Sequence, residues 1–460
     1  MLIARETVIP TSFNFSEAMR ERPISRRQLL MVLMLGVLVL FDGMDTQVLG
    51  VIAHGIMGDL GVPLSAFGIV FSTGLLGGVV GALVMSPIAD RLLGPKRTTV
   101  IAMTIAGLAT LATPAVGTLT ELLAIRFIAG LGLGAATPAI FALASEYAPR
   151  KTFRPVTSTL IAFMPLGAFL CGTSGRFLVP AYGWPMLLYV GGVLTLLLAA
   201  AAAWVLPESV HFLLLVKKDP RRALRSAKTL YPRLQADGVI VDDVDHDDAR
   251  KQPLARLFSP DLWRFTVLVW LSGILSQGIL YFVLSWTPAL LEKSGSAGAV
   301  GMNAAAMFGI GGALGTAAQG WLTKKFNIYR VMLLELALYL AAVLTLPFIL
   351  DDPFLAPATV FLMAAGICAY QTGFVLIVIE AYPSDVRSTG FGWSYGVGRI
   401  GATSAPALTG LLVAMGWTPA QIFLGAAFPG IVSAAALIGI RLLLSRRASA
   451  ATTDRESDPA

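Results

Sequence analysis

The sequence predicts an all-α membrane protein whose twelve transmembrane helices form two six-helix pseudo-repeats. Three observations carry this expectation: an apolar composition, twelve apolar runs of spanning length, and a basic-residue bias that alternates from loop to loop. Of the 460 residues, 56% are hydrophobic and 13% charged, with a mean hydropathy of +0.75. A soluble domain carries roughly 25% charged residues, so this much apolar surface has no home except lipid. A spanning helix needs about 20 apolar residues. Runs of that kind fall at 29–53, 66–89, 97–117, 120–143, 155–180 and 184–206, then at 263–290, 300–323, 328–350, 355–379, 386–412 and 418–444. The organisation is therefore an N-terminal segment (1–28), a six-helix half (29–206), a central loop (207–262), a second six-helix half (263–444) and a tail (445–460).

The charge bias sets orientation. With the N-terminus in the cytoplasm, Arg91, Lys96, Arg97, Arg150, Lys151, Arg154, the basic residues from Lys217 to Arg256, Lys324, Lys325, Arg330, Arg387, Arg446 and Arg447 all fall inside. The opposite loops hold Arg176 and Lys293 with Asp59, Glu121, Glu292, Asp351 and Asp352. That is the positive-inside pattern. It implies an even number of spans and both termini in the cytoplasm, and it accounts for the net charge of +7 without nucleic acid. The first run follows a basic stretch but is too long for a signal h-region and has no small-residue cleavage site, so it reads as a retained span rather than a leader. Repetition supports two halves: Gly81–Leu83 recurs as Gly312–Leu314, and Glu146 and Pro149 recur as Glu380 and Pro383, giving an offset near 231 to 234 residues.

The spans carry few charged groups, and several of these are the site candidates. In the first span, FDGMDTQ places Asp42 and Asp45 at i,i+3, on one helix face. They lie roughly 20–24 Å along the span at 1.5 Å per residue. Two carboxylates at that depth cost about 2.5–3.5 kcal/mol each on insertion scales, and burial beside one another favours holding a proton, as proton coupling requires. Arg126 and Arg399 also fall within apolar runs. A guanidinium offers a planar fork matched to carboxylates, so either can bind a substrate carboxylate or balance an aspartate. Gln277, Tyr281, Trp286, Trp393 and Tyr395 are candidate contacts for a ring, with packing or an interfacial belt as the plainer account of the tryptophans.

The turn after the second span reads SPIADRLLGPKR. Asp90 can accept backbone N–H groups or pair with a cation of a neighbouring helix. With Arg91, Gly94, Lys96, Arg97, Glu146, Glu380 and Arg387 it forms a candidate cytoplasmic latch. In the second half Trp321 stands where the acid would be. No metal site is expected: Cys171 and Cys368 have no ligand spacing, and the acid run at 241–250 reads as a solvated stretch. Gly130–Gly134 lacks a preceding strand and the spacing of a nucleotide loop, so its small residues read as helix packing.

FDGMDTQ, the Arg126–Pro138 run RFIAGLGLGAATP and the stretch YPSDVRSTGFGWSYGVGRIGATSAP (Tyr382–Pro406) together resemble the aromatic acid:proton symporter family of the major facilitator superfamily. The likeness runs over essentially all twelve spans. It departs from the family's pattern at the turn after span 2, with Ser86 in place of a glycine and one extra residue between Arg91 and Gly94. The resemblance implies a major facilitator fold and import of a benzoate-like or hydroxybenzoate-like acid with protons across a bacterial-type inner membrane. It implies roles for Asp42, Asp45, Asp90, Arg126, Arg387 and Arg399, and no cofactor beyond the coupling protons. A small aromatic acid and the bilayer are the expected partners, with neither nucleic acid nor an obligate protein. The alternatives are a carrier for a non-aromatic organic acid, or a proton-coupled exporter. An enzyme is disfavoured, because no metal cluster, Walker loop or nucleophile with a partner base is present. So is a sensor, since neither terminus is extended.

Overall fold

A computed structural model of the chain describes residues 13–14, 24–148, 150–230, 240–241, 254–293, 299–383 and 386–456. Twelve helices in it are long and apolar enough to cross a membrane. They are α1 (Arg26–Leu60), α2 (Phe67–Ile88), α3 (Pro95–Ala112), α4 (Leu119–Tyr147), α5 (Arg150–Tyr182), α6 (Trp184–Val205), α7 (Trp263–Lys293), α8 (Ala299–Lys325), α9 (Ile328–Thr345), α10 (Leu355–Ala381), α11 (Arg387–Ala414) and α12 (Pro419–Glu456). A two-residue parallel pairing of Phe13–Asn14 with Ile240–Val241 is the sole strand structure among the described residues.

Local chemistry starts and stops these helices. Ser25 and Gln28 form a reciprocal capping box at the start of α1, satisfying two of the amide groups a helix start leaves unpaired. Between α2 and α3 the chain passes through a π-turn (Ala89–Leu93) and reverses at Gly94, whose φ of 85° suits glycine, before Pro95 opens α3. A side chain at Gly94 would also collide with Glu208 and Phe212, whose atoms stand 2.8 Å from the position of a Cβ.

The two halves pack alike. In the first, α1 lies on α5, α2 on α4, and α3 on α4 and α6. In the second, α7 lies on α11, α8 on α10, and α9 on α10 and α12. Glycines set the register of corresponding pairs. A Cβ on Gly77 or Gly81 of α2 would fall 2.2 or 2.1 Å from the carbonyl oxygens of Phe127 and Leu131 on α4. A Cβ on Gly311 or Gly315 of α8 would fall 2.3 or 2.2 Å from those of Phe361 and Ala365 on α10. Each of these four residues is offset by 234 from its counterpart (Gly77 to Gly311, Phe127 to Phe361, and so on). The Gly81–Leu83 likeness to Gly312–Leu314 is therefore three residues out of register, and the structural equivalent of Asp90 is Lys324, not Trp321.

The halves meet along α2 against α11, α5 against α8, and α1 against α7. For orientation, the near end of the bundle is that of the chain termini and the central connection. Close contacts join the halves towards the far end: Gly50 against Ser285, Gly68 against Pro406 and Gly410, and Gly172 against Met302 and Ala306. Gln47 Nε2 donates to Leu284 O at 2.8 Å across the same seam.

The central connection is fastened to the first half. Glu146 accepts from Ser209 Oγ and, at 3.0 Å, from Val210 N. Tyr147 Oη donates to Pro207 O at 2.6 Å, and Lys96 N donates to Glu208 at 2.9 Å. A short amphipathic helix, Pro220–Leu230, buries Ala223, Ala227 and Leu230 in the first half's core cluster and turns Arg221, Arg222 and Lys228 outward. The acid run lies outside the described residues beyond Val241, and the described residues hold no group placed to ligate a metal.

Candidate functional site

The site begins at α1, where α5 crosses it at van der Waals limits. A Cβ on Gly43 would stand 2.0 Å from Met164 O, and one on Gly167 would stand 1.9 Å from Leu40 O. The glycine between the two acids is thus where the neighbouring backbone sits, which leaves Asp42 and Asp45 to project elsewhere. Both are buried, each at 8% exposure.

Asp45 points into the first half. Its Oδ2 lies 2.7 Å from Arg126 Nη2 of α4, and its Oδ1 accepts from Thr110 Oγ1 of α3 at 2.6 Å. The pair is shielded on both sides, with side-chain exposures of 9% and 4%. Arg126 uses only one nitrogen here: its Nε and Nη1 are buried without a hydrogen-bond partner. Asp42 accepts from Thr137 Oγ1, also on α4, at 3.1 Å.

The second half offers Arg399 on α11. Its Nη1 donates to Tyr281 Oη of α7 at 3.2 Å, its Nη2 donates to Tyr395 Oη at 3.2 Å, and its guanidinium carbon lies 5.2 Å from the Tyr395 ring centre. Among the described residues it has no carboxylate hydrogen-bonded to it. The Asp42 carboxyl lies within its electrostatic reach across the seam. Of the two assignments left open for the arginines, Arg126 is therefore the one paired to an aspartate. Arg399 is braced by neutral phenols.

The ring candidates separate. Tyr281 and Gln277 are buried, the latter beside Gly398 of α11, where a Cβ would lie 3.2 Å from Gln277 Cγ. Tyr395 and Trp393 are exposed, and Trp393 stacks on Trp270 with centroids 6.2 Å apart. Trp286 is fully buried in the closed seam, with Nε1 donating to Pro406 O at 3.1 Å and an edge contact to Phe71 at 5.6 Å.

The latch candidates lie at the near end, but the contacts described for them run within one half. Glu146, Gly94 and Lys96 engage the central connection, and Arg387 Nε donates to Tyr382 O in its own turn at 3.4 Å. Arg91 and Arg97 are exposed. The side chains of Asp90 and Glu380 lie outside the described set. Glu208 lies between the spanning segments, and burial pushes its carboxyl above the usual range despite the backbone N–H groups it accepts.

Sequence reasoning missed Thr110 and Thr137. Threonines inside a span give no signal until helix rotation shows what they face. His54 lies in the last two turns of α1 and contacts Glu292. Glu335, buried on α9 with neither carboxylate oxygen partnered, was legible as an acid inside an apolar run.

A profile of the Major Facilitator Superfamily matches residues 35–356. The chain belongs to this superfamily. It is accordingly a multi-pass membrane transporter and not an enzyme. It is 32% identical over 421 residues to the gallate transporter of Pseudomonas putida, covering 91% of this chain and 92% of that one. To the 4-hydroxybenzoate transporter PcaK of Pseudomonas aeruginosa it is 32% identical over 419 residues, covering 91% and 93%. To the benzoate transport protein of Acinetobacter baylyi it is 29% identical over 418 residues, covering 89% and 88%. The fold matches a partially occluded inward open conformation of the xylose transporter XylE from E. coli, with a TM-score of 0.68 over 90% of this chain and 97% of that one, at 14% identity.

Proposed function

We propose that this transporter imports an aromatic carboxylate with protons by alternating access, and that Asp42 carries a coupling proton while Arg399 receives the substrate carboxylate. One observation carries this reading: Arg399 has two phenols for hydrogen-bond partners and no carboxylate among the described residues, while Asp42 lies within its electrostatic reach from the other half. An anionic substrate completes that arrangement. A proton on Asp42 cancels the competing negative charge and leaves Arg399 to the substrate, whose ring would lie among Tyr281, Tyr395 and Gln277. With both charges neutralised, the cost of moving them through a low-dielectric interior falls, and the halves can rock. Asp45 and Arg126 serve as a fixed, internally neutral pair that positions α1 against α3 and α4. The transport names of the relatives supply the substrate class.

The near end is cytoplasmic on the positive-inside argument, since Arg91, Arg97, Lys324, Lys325 and Arg387 are exposed there. With the far end closed, the reading is of an inward-facing state in a bacterial-type inner membrane. Protons are the only coupling species and no cofactor takes part.

The test is Asp42→Asn in cells or proteoliposomes, with labelled 4-hydroxybenzoate, benzoate and gallate. The variant loses uncoupler-sensitive accumulation and keeps substrate counterflow. Full gradient-driven accumulation by Asp42→Asn would remove Asp42 from proton coupling. No uptake of any of the three by the unaltered protein would move the substrate to a non-aromatic acid or the direction to export.

A further inference from the structure

At the far end, one ionisable side chain from each half meets the other. His54 Nδ1 of α1 lies 2.7 Å from Glu292 Oε2 of α7. The imidazole is 35% exposed and the glutamate side chain 9%. The imidazole is thus partly open to solution, although its Nδ1 is buried, while the carboxylate is held in. Glu292 is pressed against the first turn of α8, where a Cβ on Gly301 would stand 2.8 Å from its Cγ. The pair borders a cavity of about 340 Å³ walled by Val51, Val179, Trp184 and Met302.

The other charged groups here are engaged elsewhere. Asp59, from α1, accepts from Trp184 Nε1 of α6 at 2.8 Å. Arg176, from α5, donates to Asn303 Oδ1 of α8 at 2.9 Å. Neither the closed seam nor the central site uses the His54–Glu292 contact, yet opening the far end has to break it, because its members sit on opposite halves.

We propose that His54 and Glu292 form a proton-responsive clasp that holds the far ends of the two halves together. The contact is an ion pair only when His54 is protonated and Glu292 is not. Histidine is the side chain whose charge changes across the physiological pH range, so acid on the far side favours the ionic form of the contact. Without a proton on His54 the ionic attraction across the 2.7 Å contact is lost. Mild acid on that side favours the far-end-closed state, and neutral to alkaline solution lets it open more readily. The inference rests on the alternating-access reading above but not on the identity of the substrate.

The experiment reads opening directly. Thr287 lies on α7, 1% exposed and below the clasp. Thr287→Cys is labelled from the far side with a membrane-impermeant maleimide, without substrate, between pH 5.5 and 8. Rates are normalised to Gly58→Cys, an exposed position on α1, which corrects for thiol ionisation and for the amount of protein inserted. The clasp predicts a labelling rate that rises with pH. In His54→Gln or Glu292→Gln, labelling at pH 6 rises roughly two- to fivefold, as loss of a partly exposed ion pair implies, and its pH dependence disappears. The exchanged pair His54→Glu/Glu292→His restores protection. Unchanged rates and an unchanged pH profile in both single variants would overturn the clasp. Failure of every aromatic acid as a substrate would leave the result standing, since labelling needs none.

Discussion

Replacing Arg126 with methionine removes the cation from Asp45 while keeping most of the side chain's length. The pair is 2.7 Å apart, with side-chain exposures of 9% and 4%, so solvent screens it little. At an effective dielectric constant near 20, opposite charges at about 4 Å attract by about 4 kcal/mol. Breaking a buried pair by deleting one member costs about 3–5 kcal/mol, because the other charge is left uncompensated. Two details place Arg126→Met towards the lower part of that range. The contact uses one of three guanidinium nitrogens, and Thr110 still donates to the carboxylate at 2.6 Å. The expected loss is about 3 kcal/mol. In the double variant Asp45→Asn/Arg126→Met neither charge remains, and the loss falls to about 1 kcal/mol, the scale of one missing hydrogen bond. Unfolding of the four purified proteins in one detergent, followed as a double-mutant cycle, measures the coupling directly. A coupling below about 0.5 kcal/mol would refute the claim that this pair is a fixed structural element.

Three further outcomes follow from packing and titration. Gly43→Ala puts a methyl 2.0 Å from Met164 O, so α1 and α5 must part and both thermal stability and uptake fall. Gly58→Ala, with nothing within 4 Å of the added carbon, is neutral or stabilising by up to about 1 kcal/mol. Glu208 holds its proton more tightly when folded than when unfolded, because burial raises its pKa. Its contribution to stability is therefore fully present below about pH 4.3, the unfolded value, and is lost as pH rises through the raised folded one. Glu208→Gln flattens that part of the stability–pH profile, and an unchanged profile would show that Glu208 does not contribute to it.

The spans were legible because lipid tolerates little except apolar residues at these positions, so composition alone marks 29–53 or 418–444. Asp42 and Asp45 stood out for the same reason in reverse. What each acid faces was not legible. Asp45 meets Arg126 and Thr110 while Asp42 meets Thr137, and that division depends on how α1 is rotated against α3 and α4, a property of tertiary packing. The second copy of the repeat was found, with Glu146 and Pro149 matched at the packing's own spacing of 234 and only the Gly81 match three residues out. Gly81–Leu83 and Gly312–Leu314 match as letters, whereas the packing equates Gly81 with Gly315 because that glycine meets the neighbouring carbonyl. The partners of Glu146 were hidden for another reason: they are a backbone amide and a serine of the connection, and neither has a sequence signature.

The glycine register between α2 and α4, and again between α8 and α10, is written in backbone atoms alone. A contact of Cα with a carbonyl oxygen demands only that no side chain intervene, so it places no condition on the residues of any other helix face. The duplicated scaffold could therefore be inherited intact while its inward faces diverged. At the same 234-residue spacing, Asp42 answers to Ser276 and Arg399 to Pro165. At these paired positions one half carries an acid where the other has a serine, and the second a base where the first has a proline, so a shared backbone presents unlike charges on its two inner faces. Re-tailoring the cargo is then a matter of editing one half's inner face, with the chassis indifferent to the change.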